Sequence, residues 1–213
     1  MVRTAVWYSG CNRERQLRKK GGLAPSLFRI WECEVKILAV DQARHGAWSV
    51  FDYNLRALTD YGAFSFDSKK YSFAQATLQI ELLIDSAIHA YNVDAVFFED
   101  IQLRQNVQSF KKLAQLQGVL INMCEKNEYR YGLIAPTQWQ SYCNARGRSA
   151  KEAKAKLVFA PQVKGKTSKM LSIQFVKEKF GIDTDNDNLS DAICIGWYCV
   201  NQNLKEILCN AEK

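Results

Sequence analysis

VKILAVDQARHGAWSVFDY, residues 35–53, ends an apolar run on a single acid. Val35, Ile37, Leu38, Ala39 and Val40 have the composition of a buried strand. Asp41 closes it, and a carboxylate is rarely buried in such a place unless it is paired or holds a metal; the alternative is a strand-end acid turned to solvent or capping a turn. The link QARHG then leads into AWSVFDY, so the stretch predicts a hairpin of two antiparallel strands.

Working outward, GAFSFD at 62–67 predicts a third strand that extends the antiparallel part. In SFAQATLQIELLIDSAIHAYN, the residues Phe73, Ile80, Leu83, Ile84, Ala87 and Tyr91 recur at helical intervals. DAVFFED at 94–100 is short and apolar, as expected of a buried strand. NVQSFKKLAQLQGVLINMCEK places Phe110, Leu113, Leu116, Leu120 and Met123 on one helical stripe, and YRYGLIAP predicts a fifth strand ended by Pro136. Further helices are expected near 149–160, over 168–180 and from about 188 onward. No internal repeat is visible. Residues 1–33 show no sustained period and read as a basic, flexible N-terminal extension, with one domain over 34–213.

This order predicts an α/β fold: a mixed five-stranded sheet, three antiparallel strands and then two parallel ones, flanked by helices. Strand four then runs parallel to strand one, and their ends meet at one edge of the sheet. Strand one ends in Asp41 and strand four in Glu99 or Asp100. Successive strand residues face opposite ways, so only one of that pair can face Asp41.

Composition bounds the chemistry. The chain has 213 residues, 47% hydrophobic and 24% charged, with three prolines. That is enough for a full core. No run of eighteen apolar residues or signal-peptide core is present, which points away from a membrane and toward the cytoplasm. Seven cysteines without a CxxC pair, and two histidines (His45 and His89), argue against a zinc site. Cys194 and Cys199 lie in apolar surroundings and read as core thiols in a reducing compartment. The net charge is +7, and ten Lys or Arg lie between Arg146 and Lys179, against Glu152 and Glu178. Asp183, Asp185, Asp187 and Asp191 follow at once. A basic band beside an acidic cluster suits a protein that grips a polyanion and holds a metal.

ILAVD with Asp41, AVFFED with Glu99 and NDNLSDAICIG with Asp191, joined by LAQLQGVL and APTQWQ, resemble the ribonuclease H-like superfamily. Within it they resemble the RuvC-type Holliday-junction resolvases, particularly the compact phage versions. The similarity runs from about Lys36 to about Asn201. It implies a structure-selective endonuclease of DNA recombination and repair in a bacterial or phage-infected cell, acting on branched DNA as a homodimer. It also implies hydrolysis with two Mg2+ ions, for which Mn2+ substitutes. Magnesium prefers carboxylate and water oxygens, and a pair of ions about 3.5–4 Å apart activates a water and stabilises the leaving oxygen.

The resemblance makes Asp41 the bridging ligand, chooses Glu99 over Asp100, and adds Asp191, which is expected near the start of its helix with Asn188 as N-cap. The family's further ligand falls three residues before that acid, where this chain has Asn188; Asp187 is the charged neighbour, and either fits the helix face. Arg146, Arg148, Lys151, Lys154, Lys156, Lys164, Lys166 and Lys169 are expected on phosphates. Lys169 is also placed to stabilise charge in the transition state. IQLRQNVQSF, after Glu99, offers Arg104 and Phe110 to the strands near the cut. Other classes stay open: a related nuclease for RNA–DNA hybrids or flaps, or a non-catalytic DNA-binding protein on this fold. An actin-like kinase is excluded by size.

Overall fold

The computed structural model describes residues 34–102, 106–146 and 168–209. The expected extension 1–33, the helix near 149–160, Arg104, Arg148, Lys151, Lys154, Lys156, Lys164 and Lys166 lie outside the described residues. The elements are β1 (Lys36–Asp41), β2 (His45–Asp52), β3 (Ala57–Ser65), α1 (Phe73–Tyr91), β4 (Ala95–Glu99), α2 (Val107–Lys126), β5 (Arg130–Ile134), α3 (Pro136–Tyr142), α4 (Ser168–Phe180), α5 (Asp187–Val200) and α6 (Leu204–Ile207). No helix among the described residues is long and apolar enough to cross a membrane.

The five strands form one sheet in the order β3-β2-β1-β4-β5. β1 pairs with β2 antiparallel and with β4 parallel, and β4 pairs with β5 parallel. This is the predicted mixed sheet. The third strand differs: it covers Ala57–Ser65 rather than 62–67. The hairpin turns sooner than expected, because Asp52 accepts a hydrogen bond from the Leu55 amide at 2.8 Å and Arg56 adopts a left-handed φ of 51°. Ala57 therefore pairs at once with Asp52. Asp60 hid the strand's first half from the sequence pattern; its carboxylate accepts a hydrogen bond from the Tyr91 hydroxyl on α1.

Strand alternation divides the core in two. Ile37, Ala39, Phe51, Ala95 and Phe97 face α3, α4 and α5. Leu38, Val40, Val50, Val96 and Phe98 face α1 and α2. On α2 the buried stripe is Leu116, Gln117, Leu120, Met123 and Cys124, so Phe110 and Leu113 are only partly covered. Each helix has an identifiable stop or start. Ser72 and Gln75 form a capping box for α1, and Asn92 ends it in the left-handed region; Asn106 caps α2 through its side chain.

Helix α5 matters most for the site, and two features press it onto the sheet. A Cβ at Gly196 would lie 2.4 Å from the Phe51 ring, so only glycine lets the helix approach this closely. The buried Ser49 hydroxyl donates to the Ala192 carbonyl at 2.8 Å, which ties β2 to the turn that carries Asp191. Cys194 and Cys199 are fully buried free thiols on this helix, as their apolar neighbours predict.

Candidate active site

The register of β1 against β4 places Val40 beside Phe98, so the next residues, Asp41 and Glu99, end parallel neighbouring strands. Both continue the series Ile37, Ala39 and Ala95, Phe97, whose side chains face α5. Asp100 belongs to the opposite series. It is oriented toward α2, where its Oδ1 is 3.5 Å from the Gln117 amide nitrogen. Strand periodicity, which by itself left Glu99 and Asp100 as alternatives, thus separates them once the faces are known.

α5 supplies the other acids. Its N-cap is Asn186, whose side chain accepts a hydrogen bond from the Leu189 amide at 3.2 Å. This corrects the expectation that Asn188 is the cap with Asp191 at its third position: the helix starts earlier, Asp187 is its first residue and Asn188 its second. The cap is also an amide and not Asp187, so the Asp187 carboxylate is not drawn back onto the helix amides. It is paired instead with the Lys169 ammonium from α4. One turn on, Asp191 shares the face of Asp187.

The electrostatics of this end of the sheet are dominated by like charge on half-buried carboxylates. Burial pushes the Asp41 carboxyl well above its usual range, and Glu99, Asp191 and Asp187 push it further, while Lys169 opposes them. Asp191 is raised from 3.8 to about 7, mainly by burial and then by Glu99 and Asp187; a hydrogen bond from the Ser172 hydroxyl and, more weakly, the Lys169 charge act in the opposite direction. Ser172 is fully buried, with its hydroxyl 3.1 Å from the Lys169 carbonyl. The hydrogen bond to Asp187 holds Lys169 in its charged form and raises its pKa. Asp191 Oδ1 is buried with no hydrogen-bond partner. A desolvated carboxylate oxygen of this kind is costly unless something positive meets it.

Among the described residues, no three His, Cys, Asp or Glu side chains stand close enough together to enclose an ion as they are. The donor chemistry nevertheless fits a hard divalent cation. It is all oxygen, it is concentrated at one strand end, and it includes an acid oxygen with no other partner.

Two contributors escaped the sequence reading. The Trp139 indole, fully buried on α3, donates from Nε1 to Glu99 Oε1 at 3.0 Å. The Gln42 side chain, 4% exposed, donates to the Glu99 carbonyl. A tryptophan in APTQWQ and a glutamine after a strand carry no local pattern that marks them as partners of an acid far along the chain. Of the expected phosphate contacts, Arg146 and Lys169 are described: Arg146 lies exposed just after α3, and Lys169 is exposed on α4.

Comparison with known proteins converges on one family. A family model described as "Crossover junction endodeoxyribonuclease RuvC" matches residues 49–169. A protein of that description from Pelodictyon phaeoclathratiforme is 28% identical over 123 residues, which is 58% of this chain and 58% of its own length. The chain therefore spans under two thirds of that curated relative. Thermus thermophilus RuvC, solved alone and in complex with a Holliday junction substrate, superposes with a TM-score of 0.55 at 14% identity. The superpositions cover 77% of this chain and 92% and 91% of those chains, respectively. At that identity the likeness is one of fold. The stretch matched by the family model holds Glu99 and Trp139 and stops short of Asp41 and Asp191.

Proposed function

Because the chain belongs to the RuvC family of crossover junction endodeoxyribonucleases, we propose that it cuts four-way and related branched DNA, using two Mg2+ ions held by Asp41, Glu99, Asp191 and Asp187. The observation that carries this reading is the convergence of acids from β1, β4 and α5 on one end of the sheet, with Asp191 Oδ1 buried and unpartnered. A cluster that repels itself is costly to keep, and metal ions convert that cost into affinity. When bound, the ions supply Lewis-acid stabilisation at the attacking and leaving oxygens of the phosphodiester. The protein's own part is to hold that charge half-buried at the end of the sheet and to bring the phosphate to it.

Lys169, beside Asp187, steadies the phosphate that is being cut and adds positive charge where the transition state gains negative charge. Arg146 and the basic residues from Arg148 to Lys166, with Arg104 after Glu99, neutralise phosphates further along the arms, without reading sequence. The location proposed with this activity is the cytoplasm, where the buried thiols of Cys194 and Cys199 stay reduced. Magnesium-dependent cleavage of four-way, flap and RNA–DNA hybrid substrates, compared side by side, tests the reading. Preference for four-way junctions is expected. Equal or better cleavage of hybrids would transfer the chain to another ribonuclease H-like activity, and binding without cleavage of any of them would make it a DNA-binding protein.

A four-way junction needs two cuts at fixed spacing, which an isologous dimer provides. Helices α1 and α2 offer a surface for it. Leu78 and Leu82 are each 51% exposed on α1, and Gly118 on α2 has open space above it. A groove of about 700 Å3 lies between them. Leu78→Glu with Leu82→Glu is expected to shift sedimentation from dimer to monomer and to uncouple the paired cuts. A wild-type protein that sediments as a monomer at micromolar concentration would refute the dimer.

For the fourth ligand, Asp187 is preferred to Asn188. It adds to the negative potential at both Asp41 and Asp191, and a carboxylate serves magnesium better than an amide. Asp187→Asn is expected to raise the magnesium needed for half-maximal cleavage by roughly tenfold, and Asn188→Ala to change it little. The reverse order in a magnesium titration would give the position to Asn188.

A further inference from the structure

We propose that Trp139 is a positioning residue for the metal site: its indole N–H fixes the Glu99 carboxylate in the orientation from which it binds the ion. The proposal rests on the metal-dependent reading above and deepens it. Glu99 is the last residue of β4: its ladder to β1 ends at Phe98, while on its other side it still pairs with Ile134 of β5. Two further contacts hold this end toward β1 and the site. The Gln42 amide, directly after Asp41, donates to the Glu99 carbonyl and ties the two strand ends together. Trp139 Nε1 donates to Glu99 Oε1 at 3.0 Å and sets the side chain.

The indole is well suited to this. It has one donor and no acceptor, so its contact with a carboxylate has a single sense. Its ring is fully buried in the core layer with Phe97, Ile134, Cys143 and Ile195, so the donor cannot swing away. The helix that carries it is pinned at its start: Pro136 opens α3 directly after β5, and Gln138 Oε1 accepts from the Ala135 amide at 2.9 Å. The indole is therefore presented to Glu99 from a helix whose start is capped. Partners of ligands commonly govern metal affinity by tenfold to a hundredfold, because they hold the ligand ready before the ion arrives.

The test separates donor from ring. Trp139→Phe keeps an aromatic ring and removes the N–H, and 3-benzothienylalanine at this position keeps the bicyclic shape and replaces the N–H by sulfur. Two readouts are followed on the full-length chain: the Mg2+ concentration at half-maximal rise in melting temperature, and that at half-maximal cleavage of a four-way junction. Both are expected to rise about tenfold in the two variants, with the cleavage rate at saturating Mg2+ within about threefold of wild type. Should Trp139→Phe fail to fold, the benzothienyl variant decides alone, since it preserves the packing. A folded variant with wild-type Mg2+ dependence in both readouts overturns the positioning role while leaving the nuclease reading intact. If wild type itself shows no response to Mg2+ in either readout, the metal reading falls and this proposal falls with it.

Discussion

Asp41→Asn, Glu99→Gln and Asp191→Asn are each expected to reduce junction cleavage by roughly a thousandfold or more, while binding of the same junction stays within a few-fold of wild type. The reason lies in how the two tasks divide between groups. Affinity for DNA comes chiefly from phosphate neutralisation by Lys and Arg, and none of the three acids contributes to it. Their removal takes away negative charge near the phosphate, so binding is expected to tighten slightly at low salt. Chemistry depends on the acids, because an amide oxygen carries no net charge with which to hold a divalent cation among other carboxylates. Cleavage rates in single turnover, measured beside gel-shift or anisotropy titrations, separate the effects. Wild-type cleavage by all three variants would remove the acid cluster from the mechanism. Loss of binding in parallel with cleavage would mean that the substitutions disturb the fold.

The sheet was legible because its strands are short, apolar and sharply bounded, and because a strand–helix–strand crossover leaves little choice of order. Asp41 and Glu99 could be brought together on paper for the same reason: strand periodicity and parallel pairing are local rules. What the sequence pattern did not reveal depends on contacts between distant segments. The first half of β3 was concealed by Asp60, whose partner Tyr91 lies on a helix 31 residues away. The start of α5 was misplaced by one cap, since Asn186 and Asn188 are equally good candidates until the chain entering the helix is traced. Trp139 was visible only as part of a family-like segment. Its role follows from the donor's direction, and that is set by the packing of α3 against the sheet. Lys169 precedes the acids in sequence, and its pairing with Asp187 follows from how α4 and α5 pack.

The acid cluster also has a thermodynamic signature that does not require DNA. Asp191 titrates at about 7 in the folded protein, against 3.8 ordinarily, and Asp41 is raised as well. Below pH 3.8 both states hold these protons, and the favourable contribution of the neutral folded carboxyl is fully present. Between that value and about 7 the folded state retains a proton that the unfolded chain has released, so stability falls as pH rises. For Asp191 the interval amounts to roughly 4 kcal/mol at most, at about 1.4 kcal/mol per tenfold change in proton activity. For a chain of this size that corresponds to a fall in melting temperature on the order of 10 °C. EDTA-treated wild type is therefore expected to lose stability between pH 5 and pH 8 relative to Asp191→Asn, which carries no charge at that position. At pH 8 the metal-free variant should melt higher than wild type, the inactive protein being the more stable one. Adding Mg2+ should raise the wild-type melting temperature at pH 8 far more than at pH 5, because at pH 5 the ion must displace protons. The comparison with Asp191→Asn cancels the ordinary titration of the remaining carboxylates. A variant that is less stable than metal-free wild type at pH 8, or a difference independent of pH, would show that Asp191 does not stand as an uncompensated carboxylate and that the site is not held in reserve for a cation.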